Sequence, residues 1–117
     1  MERLIKISGK VYKMKASALT QFLYKNDTGR SFLSDIKKLN KLNSKELTEE
    51  DTIDSFDDVN ELILKVAYTM IKQGDNTQVT NYEEFLDSID DLYSEPDWIA
   101  EVIELACSPI SRQLQEN

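Results

Sequence analysis

Val59, Leu62, Ile63, Val66, Ala67, Met70 and Ile71 recur at intervals of three and four residues, the spacing that lines one side of an α-helix. No other stretch of the chain is so regular. A helix with so continuous an apolar stripe has to bury it against other elements, so it organises whatever fold forms around it. The spacing predicts a central helix beginning after Ser55 and stopping at Gly74. Leu64 and Tyr68 lie off the stripe and widen it, which predicts neighbours on two sides of this helix.

The remaining elements are read around it. Residues 4–15 predict a β-hairpin, in which Ile5 and Ile7 alternate with Lys6, Ser8-Gly9-Lys10 turns the chain, and Tyr12 and Met14 resume the alternation. A lone strand pair buries too little to persist in water, so one face is expected on the helices, while its outer edge stays open to another strand. Residues 16–116 are read as helical. Ser17 opens a helix carrying Leu19, Phe22 and Leu23 that stops near Asn26–Gly29, and Ser31 opens one striped by Phe32, Ile36 and Leu39 with Leu33 beside it. Residues 43–55 are polar and acidic, and read as a mobile loop. Asn81 opens a short helix, with Glu84 in capping-box position, whose inner face is Tyr82, Phe85, Leu86 and Ile89 and whose end falls near Tyr93-Ser94. Ser94 and Pro96 open the last helix, striped by Ile99, Val102, Ile103 and Ala106 with Trp98 and Leu105 on its flanks. Pro109 should end or kink it, leaving a separately oriented tail. The expected fold is mainly α with a small N-terminal β-hairpin: one domain, 1–117, a compact bundle of about five helices.

Composition then narrows the function. The 117 residues carry 14 Lys and Arg against 22 Asp and Glu, a net charge of −8, which repels phosphate and argues against nucleic acid as a partner. Lys37, Lys38, Lys41 and Lys45 fall along one helix side and read as a solvated face. The single cysteine, Cys107, allows no internal disulfide and suits a reducing compartment. The start lacks the apolar core of a signal peptide, and no segment has the ~20 apolar residues needed to span a bilayer. A soluble cytoplasmic protein with no membrane partner is expected.

Reactive groups are scarce. The chain has no histidine, which removes the usual base of nucleophilic triads and the commonest metal-binding nitrogen. Cys107, beside Ala106, has no basic neighbour to activate it and reads as a packing residue. Asp87, Asp90 and Asp91, like Glu49, Glu50, Asp51 and Asp54, cluster as solvated carboxylates with no sugar-stacking aromatics around them. Asp51 to Glu61 lacks the central glycine of a calcium loop, and Gly9, Gly29 and Gly74 read as turns, not a phosphate cradle. The expectation is a protein without enzymatic activity, metal or cofactor.

Binding is what remains. Trp98 and Tyr93 are of the residue types favoured at interfaces, and Leu64, Tyr68, Leu105, Ile110 and Leu114 are apolar positions that five short helices need not cover. These seven residues form the expected partner-binding set. Self-association through the same helices is a further expectation.

The hairpin turning at Gly9, the Gly29-Arg30-Ser31-Phe32 helix entry, the Phe56-Asp57-Asp58-Val59-Asn60-Glu61-Leu62 run and Tyr82-Glu83-Glu84-Phe85-Leu86 together resemble the tail assembly chaperones of long-tailed bacteriophages and prophages of Gram-positive hosts. The resemblance spans most of the chain and rests on apolar spacing and segment order. It implies binding of the long helical tape measure protein in the bacterial host cytoplasm until the tail tube polymerises, with the tail tube protein as a second partner and with self-association into a homo-oligomer, which is frequent among such chaperones. It supplies no catalytic residues. Two other readings stand beside it: an acidic regulator or adaptor that occupies a basic protein surface as a DNA mimic, and a small enzyme built on Asp, Glu, Tyr and Lys.

Overall fold

A computed structural model describes residues 1–43, 49–90 and 97–110. The N-terminal strands β1 (Glu2–Ile7) and β2 (Lys10–Lys15) pair antiparallel in a register that sets Ile5 opposite Tyr12 and Ile7 opposite Lys10. The two-residue turn between them has Ser8 at φ 50° and Gly9 at φ 86°, the left-handed pair whose twist matches that of the strands. Alternation divides the hairpin cleanly. Ile5, Ile7, Tyr12 and Met14 are buried, whereas Leu4, Lys6, Val11 and Lys13 face outward. Beyond the strands, Met1 and Ala16 exchange hydrogen bonds of 2.8 and 2.9 Å and carry the ladder to the N-terminus.

Five helices follow: α1 (Ala18–Thr28), α2 (Phe32–Asn43), α3 (Glu49–Gly74), α4 (Tyr82–Asp87) and α5 (Asp97–Cys107), with 3-10 turns at Asn76–Gln78 and Ser108–Ile110. Helix α3 is the strut. Its 26 residues span roughly 39 Å at the usual rise per residue, the full 38 Å length of the molecule. Strand β2, α1, α2, α4 and α5 all pack on it, while β1 and α2 close against α5. A single cluster of buried apolar side chains fills the space between them, including Leu62, Ile63, Val66, Ala67, Met70 and Ile71 of the sequence stripe.

Several expectations need correction. Residues 49–55 of the expected acidic loop 43–55 are the first two turns of α3, while 44–48 lie outside the described residues. Acidic residues in an N-terminal helical turn complement the helix dipole, so their density signalled a helix start as much as a loop. Helix α4 ends at Asp87 rather than near Tyr93-Ser94, where the Ser88 hydroxyl donates back to the Phe85 carbonyl at 2.7 Å. The Ser94 and Pro96 signals and the tail after Ile110 fall outside the described residues. Helix α5 ends before Pro109, as its missing amide demands.

A polar clamp holds the chain just after the C-terminal end of α3 against the hairpin. The Gln78 carboxamide takes both backbone groups of Lys13 at once: Lys13 N–H donates to Oε1 at 2.6 Å and Gln78 Nε2 donates to the Lys13 carbonyl at 2.8 Å. This reproduces one rung of an antiparallel ladder and occupies the middle of the β2 edge, which the sequence left open to another strand. Gly74 makes the approach possible, because a Cβ there would strike the Lys13 carbonyl.

Candidate functional site

Helix α1 is built inside out. Ser17 caps it, accepting from Leu19 N–H at 3.3 Å, and the Thr20 hydroxyl accepts from Ser17 N–H at 2.9 Å to complete a capping box. Thr20 then donates to Gln73 Oε1 at 2.6 Å, and Gln73 Nε2 returns to Ser17 Oγ at 2.8 Å. One turn on, the fully buried Tyr24 donates to Asp35 Oδ2 at 2.7 Å. Arg30 grips the same carboxylate with two bonds, Nε to Oδ2 at 2.8 Å and the second guanidinium nitrogen to Oδ1 at 3.0 Å. The fully buried residues of α1 are Thr20 and Tyr24; both hydroxyls are hydrogen-bonded, and the Tyr24 ring joins the apolar core.

Electrostatics agree with that geometry. Burial works to raise the Asp35 pKa, but the hydrogen bonds from Arg30 and Tyr24 and the Arg30 charge outweigh it and hold the carboxyl below its ordinary value. Burial and the Asp35 carboxylate push the Tyr24 hydroxyl well up. Tyr24 stays a donor, and Asp35 stays charged.

What the inner side does not take, the outer side shows. Met1, Leu4, Val11, Leu19 and Phe22, the exposed large apolar side chains among the described residues, are between 53% and 73% exposed and all lie within the first 22 residues. Leu4 and Val11 are diagonal neighbours on the outward hairpin face, since Leu4 pairs with Lys13 and Val11 with Lys6. Leu19 and Phe22 sit one turn apart on α1. Beside Phe22, a depression of about 280 Å3 opens between α1 and the entry to α2, lined by Gln21, Phe22, Lys25, Ser31, Phe32 and Leu33. The buried Phe32 ring forms its floor, braced edge-on by Tyr24 with ring centres 5.4 Å apart.

The residues singled out from sequence lie elsewhere. Leu64, Trp98, Leu105 and Ile110 are all buried in the common core, so the uncovered helix faces expected of them are covered. Trp98 and Leu105, read as flanks of the last helix, are inner residues because α5 is wedged between β1, α2 and α3 and needs a face wide enough for all three. Tyr68 is half-buried, with its ring 5.2 Å from Tyr82 and 5.7 Å from Phe85, and Lys72 stands 4.7 Å above it. That contact is the second neighbour expected of α3. Tyr93 and Leu114 lie outside the described residues. Cys107 is half-buried and its thiol is pushed up by desolvation.

The exposed set at the N-terminus went unrecognised, although the sequence carried its trace. Asp35 falls on the same helical side as Phe32, Ile36 and Leu39, and a carboxylate on a core face requires polar partners from the helix packed against it. That helix is α1, whose polar side must then face in. Charge carries a second trace: residues 1–45 hold 11 of the 14 basic residues and three of the 22 acidic ones, leaving three basic and 19 acidic in 46–117. The exposed apolar residues thus sit in a basic half of an acidic protein. Among the described residues no helix is long and apolar enough to cross a membrane. Compared with protein-family models, curated proteins and solved structures, the chain finds no match in any of the three.

Proposed function

We propose that this protein works by contact, as a chaperone that covers apolar helical segments of another protein, and specifically as a tail assembly chaperone that keeps a tape measure protein soluble until the tail tube polymerises. The observation that carries the reading is the inverted α1: two large apolar side chains are held out by a helix whose inward side is locked by named hydrogen bonds. Leaving such residues in water costs about 1.5–3 kcal/mol each relative to burying them, a cost that a partner's surface removes. A prearranged apolar surface with a charged exterior binds an amphipathic client without collapsing on itself. The segment pattern that resembles tail assembly chaperones supplies the client class, with tube subunits displacing the chaperone in turn. Action in the bacterial host cytoplasm and assembly of several copies along one long client follow from the same reading.

Co-expression with a long, apolar, helical tape measure protein tests it. The wild-type chain should keep the client in the soluble fraction and co-purify with it, and Leu19→Ser combined with Phe22→Ser should lose both effects while remaining folded. A client that stays insoluble with the wild-type chain sinks the proposal. Retention of a DNA-binding protein, released by DNA in a salt-dependent way, would establish the DNA-mimic reading in its place.

A further inference from the structure

On the footing of that client-binding reading, we infer that the depression between α1 and α2 seats an amphipathic helix whose apolar anchor residue is flanked by carboxylates. The depression, at about 280 Å3, lies at the small end of the range of ligand pockets. It suits one or two side chains projecting from a helix. Its floor is prearranged, since Phe32 is buried and braced by Tyr24, whose hydroxyl is tied to Asp35. An anchor entering there orders little that is not already ordered.

Charge selects the flanks. Lys25 lines one wall, and its ammonium donates to the Gly29 carbonyl at 3.2 Å, with no carboxylate paired to it among the described residues. Lys37 is exposed one helical turn beyond Leu33 of the other wall. The carboxylates of the same two helices are already engaged: Asp27 receives Lys72 Nζ at 2.7 Å and Asp35 holds Arg30. An occupant with acidic residues beside its anchor meets two lysines, whereas one with basic residues meets like charge. A bilayer is a poorer fit, because the site is concave and the chain as a whole carries −8. Glu83, Glu84 and Asp87 of α4 are acidic too, so a second copy is the competing occupant that the test has to separate.

The test uses the full chain and three fluorescein-labelled helical peptides of about 18 residues, identical in their leucine stripe but flanked by Glu, Gln or Lys. Fluorescence anisotropy at low salt should rank them Glu, Gln, Lys, with the Glu peptide at least about tenfold tighter than the Lys peptide and the gap closing as salt rises. Phe22→Ser should abolish binding of all three, and Lys25→Gln with Lys37→Glu should remove the ranking; a circular-dichroism melt checks that both variants fold. Equal binding of the Glu and Lys peptides, preference for Lys, or unchanged binding in Phe22→Ser overturns the inference. So does binding to phosphatidylserine vesicles, or concentration-dependent self-association in analytical ultracentrifugation, if Phe22→Ser removes it. Capture of the co-expressed client despite a flat peptide ranking would defeat this inference alone; loss of client capture by the wild-type chain would defeat the functional reading beneath it.

Discussion

Helices α1 and α5 are both 11 residues long, and they are built in opposite senses. Helix α5 buries Trp98, Val102, Ile103, Leu105 and Ala106, and none of its charged residues is among the buried ones. Helix α1 buries Thr20 and Tyr24 and leaves Leu19 and Phe22 in solvent. In α5 the apolar side chains hold the fold together. In α1 the buried side is held by hydrogen bonds to Gln73 and Asp35 together with the Tyr24 ring, and the large apolar side chains Leu19 and Phe22 are left in solvent. The difference shows that apolar content alone does not say whether a helix serves its own core.

Mutations at the two helices should therefore separate stability from binding. Trp98→Ala should cost the most, about 3–5 kcal/mol, because it empties a buried indole site between three elements; urea denaturation measures it, and a loss under about 1 kcal/mol would show that α5 is not the structural partner in this comparison. Next comes Asp35→Ala. It leaves the buried Tyr24 hydroxyl without its acceptor, and is expected to cost about 2 kcal/mol near neutral pH. Arg30 is half-exposed and solvent screens its share.

The Asp35 effect also has a definite pH dependence. Its carboxyl is held below the ordinary value in the fold, so its contribution is complete above the unfolded-state pKa and disappears as pH falls through the lowered folded one. Denaturation curves of wild type and Asp35→Ala should accordingly converge in acid, below about pH 4; a gap that widens there would mean the carboxyl is raised, not lowered.

Gln78→Ala removes the side-chain rung on Lys13 and should cost about 1 kcal/mol. Faster hydrogen exchange at the Lys13 amide would locate the effect on the β2 edge, and unchanged exchange would refute the clamp. The smallest effect on stability belongs to Phe22→Ser, within about 0.5 kcal/mol, together with the largest effect on client retention. If Phe22→Ser destabilised the chain as Trp98→Ala does, the contrast between the two helices would collapse.

Much of the architecture could be read along the chain. The α3 stripe, the hairpin with its turn at Ser8-Gly9, the Ser17 cap and the stop before Pro109 each rest on a local rule about backbone geometry or helical spacing, and such rules act over a few residues. The exposed apolar surface proposed for binding could not be read in the same way. Leu64, Trp98, Leu105 and Ile110 are apolar positions that would suit an interface equally well, and only the number of neighbours around α3 and α5 decides that they are covered. Leu19 and Phe22 look like ordinary inward residues until Thr20 and Tyr24 are found holding the other side.

From its residue order alone the chain settles that it forms a helical protein with one N-terminal hairpin, where most of its helices start and stop, and that its positive charge is gathered in the first 45 residues. The tertiary structure alone decides which apolar side chains are core and which are left in water. Periodicity reports how many residues share a helix face, but burial depends on what packs against that face, and for α1 a carboxylate contributed by α2 reverses the side that turns inward.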